Sequence, residues 1–152
     1  MNATTQNNGQ SVIDRVKAIA EMAGFTLSKH PDCDALVCPF DMGNGRSQSV
    51  YLTHCGATPD GHDVVSFMSP CMAIEKGLMK GVSKTMALDL LRRNSNLLFA
   101  HFAIEQMPGG EILVVTSNQI VDTMEVEEFR NHILCVASIA DAFEREIGRD
   151  MF

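Results

Sequence analysis

The stretch MEVEEFRNHILCVASIADAFEREIG, residues 124–148, decides the fold. Val126, Phe129, Ile133, Val136, Ala140, Phe143 and Ile147 recur every three or four residues and form one apolar stripe along a helix. Leu134 and Ile139 widen it. Glu125, Glu127 and Glu128 fill the first turns, where the helix dipole favours negative charge, and Gly148 stops the helix. A helix this long either joins a coiled coil or covers a sheet. The sequence upstream favours the sheet.

From Phe25 to Ser69 the apolar period drops to two. Ala35 to Phe40 reads as a strand with Leu36, Cys38 and Phe40 on one face. Pro39 lacks an amide donor, which places this strand at an edge. Gly43-Asn44-Gly45 is a tight turn, and Ser47 to Cys55 returns with Val50, Leu52 and His54 on one side. Pro59-Asp60-Gly61 turns the chain into a third strand, His62 to Ser69. Pro70 to Val82 reads as a loop. Leu97 to Gln106 alternates with Leu98, Ala100, Phe102 and Ile104 on one face. Pro108-Gly109-Gly110 leads into Glu111 to Ser117, with Ile112 and Val114 inward.

Two further helices are expected. Ser11 caps one that runs to Ala23, with Asp14 three residues on and Gly24 as its left-handed exit. Val12, Ile13, Val16, Ile19, Ala20 and Ala23 share its apolar face. Ser83 caps another ending near Asn94, with Ala87, Leu90 and Leu91 as its core face. The order α-β-β-β-α-β-β-α predicts an α+β domain: an antiparallel five-stranded sheet packed by three helices, over residues 11–150. Residues 1–10 are polar and read as a disordered tail.

Composition limits the function classes. The 152 residues fit one domain, which should bury roughly 68–70% of its unfolded surface. Hydrophobic residues make up 45% and charged residues 20%, ordinary globular usage. No apolar run is long enough for a membrane span, and the N-terminus lacks the pattern of a secretory signal. Net charge is −7, which repels phosphate backbones. The basic cluster Lys76, Lys80, Lys84, Arg92 and Arg93 is interrupted by Glu75 and Asp89, so it reads as a solvated helix face rather than a nucleic-acid surface. Five cysteines, an odd number, point to free thiols in a reducing cytoplasm.

Leu90-Leu91-Arg92-Arg93-Asn94, Leu98-Phe99-Ala100-His101-Phe102-Ala103-Ile104, Ile112-Leu113-Val114-Val115 and Val136-Ala137 through Ala140-Asp141, in this order, resemble the YbjN-like branch of the type III secretion chaperone-like fold. Ser69-Pro70-Cys71 is similar to a segment of that branch too. The resemblance implies a small acidic bacterial protein that forms homodimers and has no enzymatic activity. In secretion chaperones an unfolded effector segment lies along apolar grooves and sheet edges of the dimer. YbjN-like members are also labelled regulators of sensory transduction, so a small-ligand-sensing module is the alternative.

Other constellations carry less. His30, Cys33, Cys38, His54 and Cys55 lack the paired short spacing of a zinc site. Cys71, with His62 or His101, lacks the turn or helix start that would activate a nucleophile. Cys135 reads as core. Gly43-Asn44-Gly45-Arg46 lacks the Lys-Ser/Thr of a phosphate loop. Asp141, Glu144 and Glu146 with Arg145 and Arg149 read as a solvated helix face. Ten methionines suit an adaptable binding surface or plain core filling.

The expected function is therefore a cytoplasmic, non-enzymatic, chaperone-like protein-binding module without cofactor or metal, acting as a homodimer. Neither nucleic acid nor membrane is an expected partner. Leu88, Leu91, Leu97 and Phe99 are the expected dimer contact. Val12, Val16 and Ile19 would line a partner groove, or else belong to the core. A small ligand pocket would favour the sensing alternative. A thiol- or metal-dependent enzyme is the third reading.

Overall fold

The structure, a computed structural model, describes residues 11–74 and 82–148. The tail 1–10, together with Glu75, Lys76, Met79, Lys80 and Arg149, lies outside the described residues. The elements are α1 (Val12–Met22), β1 (Ser28–Lys29), β2 (Leu36–Gly43), β3 (Arg46–Ala57), β4 (Asp63–Ile74), α2 (Lys84–Asn94), β5 (His101–Met107), β6 (Gly110–Ile120) and α3 (Val126–Ile147). The strands form one antiparallel sheet in the order β1-β2-β3-β4-β6-β5.

Helices α1 and α2 form where their serine caps predict. In α1 the Asp14 amide donates to Ser11 Oγ at 3.1 Å, and the Ser11 hydroxyl donates to the Asp14 carboxylate at 2.9 Å. The α3 start is a capping box: the Glu125 amide donates to the Glu128 carboxylate at 3.0 Å. Between β2 and β3, Asn44 and Gly45 both take positive φ, 53° and 76°, as a two-residue type I′ hairpin requires.

Helix α3 lies across one sheet face, as a cover should. Phe129, Ile133, Val136 and Ala140 are fully buried, and the Phe129 ring meets Phe67 edge-on at 5.3 Å. Helix α1 packs beside α3 with Val16 and Ala20 fully buried. No helix among the described residues is long and apolar enough to cross a membrane.

Four details differ from expectation. The sheet has six strands, not five. Ser28 and Lys29 pair with Val37 and Leu36, and two residues cannot display a period-two pattern. Strand β4 continues through Pro70 to Ile74, where a loop was expected. A bulge between Pro70 and Met72 absorbs the proline, and the pairing of β4 with β3 ends at Met68. Residues 97–100 form a bend, so β5 starts only at His101, and Phe99 sits at φ +62°. Finally, Leu113 and Val115 face the helical core, whereas Ile112 and Val114 lie on the opposite face. All four residues are apolar, so alternation alone did not choose between them.

Candidate functional site

Two surfaces stand out, one on each side of the sheet. Both are built mainly from apolar side chains.

The first surrounds α2 and β5. Of eight large apolar side chains that are exposed among the described residues, six fall between Leu88 and Met107. They include Leu88 (41% exposed), Leu91 (66%), Leu98 (74%), Phe99 (55%) and Ile104 (51%). Helix α2 buries only Leu90 and leaves Leu91 over a shallow hollow of about 260 Å³ that reaches Ile104 and Leu113. Its attachment to β5 is polar. The Asn94 side chain accepts from the Phe102 amide at 2.7 Å and donates to the Phe102 carbonyl at 3.1 Å. Asn94 thus acts as a fragment of a neighbouring strand. By alternation, the main-chain groups of Ile104 and Gln106 turn outward along the same edge. Arg93 anchors the helix end through two bonds to Glu146, at 2.7 and 2.6 Å.

The four residues expected at a dimer contact divide here. Leu88 and Leu91 are on the outer side of α2. Leu97 is half-buried in a second hollow, against Ile139 and Phe143. Phe99 rests its ring edge-on against His132 at 5.4 Å. Its left-handed backbone is costly for a bulky residue, about 1–3 kcal/mol, and it holds the ring at the surface. Of the expected groove residues, Val16 has no accessible surface and belongs to the core, while Val12 and Ile19 are half-buried against it.

The second surface is a trough on the sheet face opposite α3, with a volume of about 410 Å³. Tyr51, Met68, Pro70 and Ile112 form its floor. One wall is the segment from His30 to Ala35, and the other is Met107-Pro108. The His30 and Tyr51 rings lie 6.0 Å apart. The Asp32 amide donates to His30 Nδ1 at 3.1 Å, so that nitrogen is an acceptor and the proton sits on Nε2. His30 and Cys33 therefore line this trough, while Cys38 is buried in the core and His54 pairs with Asp63 at 3.1 Å. Among the described residues, no group of three or more His, Cys, Asp or Glu side chains converges as a metal site.

The structure does not bring together the thiol and imidazole that the third reading would need. Cys71 is fully buried, and burial pushes its thiol up to about 12, with the Glu144 charge adding to the shift. Burial likewise raises Cys38 to about 11. His62 is instead held by Asp122, with Nδ1 2.8 Å from its carboxylate, and His101 is exposed. Cys135 is half-buried, not core.

One polar cluster escaped the sequence reading. Asp141 and Glu144 are buried, not solvated, and face Arg46 from the start of β3. Arg46 Nε donates to Asp141 at 2.8 Å, and Arg145 also bonds that carboxylate. Burial alone would raise the Asp141 carboxyl, but the two arginines outweigh it and hold it below its ordinary range. The signal was present in the helical period, since positions 141 and 144 continue the line of Ala137 and Ala140. Glu146 is the solvated member, as expected.

Comparison with protein-family models and with curated proteins gives no match. Among solved structures, the chain is similar to the crystal structure of YbjN from E. coli, a proposed transcription regulator. The two share 15% identity at a TM-score of 0.52, over 92% of this chain and 96% of YbjN. The helical cover, the antiparallel sheet and the near-complete overlap in length together make this a YbjN-like fold.

Proposed function

We propose that the chain is a non-enzymatic binding module that forms a homodimer through the α2–β5 surface and acts by holding a protein segment. The observation that carries this reading is the concentration of exposed apolar side chains between Leu88 and Met107. Exposed apolar area of this kind is retained where another surface covers it. Two copies related by a twofold axis would each bring Leu88, Leu91 and Ile104 to the same contact. The outward main-chain groups of Ile104 and Gln106 add hydrogen bonds there. Burial of Cys71 and Cys38, which raises both thiols, speaks against these two as nucleophiles. A regulatory role also accords with the proposed role of YbjN. The chaperone-like part of the proposal, binding of an extended segment in the cytoplasm, rests on the sequence resemblance.

The test is sizing with light scattering at micromolar concentration. Wild type runs as a dimer. Leu91→Asp, with a far-UV spectrum like wild type, runs as a monomer because its dimer dissociation constant rises at least about 30-fold. Leu88→Asp serves as the second variant should Leu91→Asp misfold. A monomeric wild type, or a Leu91→Asp protein as dimeric as wild type, overturns the assignment.

A further inference from the structure

The trough differs in kind from the α2–β5 surface. That surface is broad and shallow, suited to another macromolecule. The trough is walled on two sides, and its volume of about 410 Å³ falls in the range of small-molecule sites. Its floor and far wall are apolar, with Met68 and Met107 able to adjust to a ligand's outline. Apart from Thr53 and Tyr51 on β3, its polar groups lie on the near wall: His30, Asp32 and the rim thiol of Cys33.

The charge in the trough is one-sided. Asp32 is its carboxylate, and no lysine or arginine lines it among the described residues. His30 accepts the Asp32 amide at Nδ1 in this arrangement. The ring of Tyr51 on the floor offers a π-face, which attracts cations. An anionic ligand would meet Asp32 without a compensating charge, whereas an ammonium gains both Asp32 and the ring. The chain's net charge of −7 acts in the same direction.

We propose that the trough is a binding site for a small organic cation, an amine carried on a flat apolar body. The apolar body lies on Tyr51, Met68, Pro70 and Ile112, and the ammonium sits toward Asp32. This gives the module a ligand input on the sheet face opposite its helices.

The test uses the full chain and a matched pair of probes, 1-naphthylmethylamine and 1-naphthylacetate, in isothermal titration at neutral pH. The amine binds saturably at one site, and the carboxylate binds at least about tenfold more weakly. Asp32→Asn, an exposed substitution, weakens the amine about tenfold and leaves the carboxylate unchanged or improved. Saturating amine slows iodoacetamide modification of Cys33, read by peptide mass spectrometry, and leaves Cys55 unaffected. Three results overturn the proposal: no saturable binding of the amine at millimolar concentration, equal affinity for the two probes, or unprotected Cys33 at saturation. Leu91→Asp retains amine binding, so loss of dimerisation and loss of this site are separate outcomes.

Discussion

At the start of β3, Arg46 reaches inward to two buried carboxylates of α3, Asp141 and Glu144. At the end of α2, Arg93 reaches Asp89 and Glu146 across a surface open to water. Both arginines tie an element to its neighbours through two acidic side chains. The first is embedded beside the core, where its removal strands charge in a poor solvent. The second is hydrated, and its Coulomb energy is largely cancelled by screening and side-chain entropy. The β2–β3 half of the domain is therefore held rigidly to its cover, while α2 is held loosely at the β5 border. The loosely held half is also the one with exposed leucines, as a surface that adapts to a partner requires.

That contrast is open to test. Arg46→Met removes the cation that Asp141 and Glu144 both face. It should lower stability by about 3 kcal/mol in urea denaturation at pH 7. In wild type the depressed Asp141 carboxyl contributes stability above its unfolded value, and this is lost as pH falls through the folded one. The deficit of Arg46→Met against wild type should therefore shrink only as pH falls below about 4, where Asp141 protonates and the pairing is lost in wild type as well. Arg93→Ala should cost about 0.2–1 kcal/mol, less in high salt. An Arg93→Ala cost equal to that of Arg46→Met would erase the distinction between the two halves.

The smallest effect is expected at the exposed cluster that ties α1 to the sheet end. There Arg15 bonds Asp122 and lies 2.7 Å from Asp63, and His62 bonds Asp122 at 2.8 Å. The bond to Asp122 raises the His62 imidazole above its ordinary value, with Asp60 contributing. A raised histidine contributes stability below its unfolded value of about 6.5 and loses it as pH rises through the folded one. His62→Gln should flatten the slope of melting temperature against pH over about pH 6.5–8. An unchanged slope would show that this tether carries no pH-dependent stability.

Much of this fold is legible in the sequence. Helices α1 and α3, the Asn44-Gly45 turn and the Pro59-Asp60-Gly61 turn follow from local chemistry, because caps and positive-φ residues act within a few positions. The failures have a common cause in tertiary context. Pro70 reads as a breaker, and only the bulge at Cys71 and the end of the β3–β4 pairing at Met68 explain its place inside a strand. On β6 both faces are apolar from Ile112 to Val115, so the helical cover chose the inward pair. Asp141 and Glu144 read as solvated because their partner, Arg46, is distant in sequence. The exposed leucines were partly legible, Leu88 and Leu91 among them. The trough was not, although His30 and Cys33 were singled out, because Tyr51, Met68 and Ile112 meet only through sheet register.

Pro39, together with the two-residue β1, has a consequence for stoichiometry. Along that margin β1 already covers Leu36 and Val37, and Pro39 offers a newcomer no amide donor. The opposite margin is used up once a twin docks there. In the proposed dimer only the rest of the β2 margin would remain to recruit a third molecule, which favours association that closes at two over propagation into fibres.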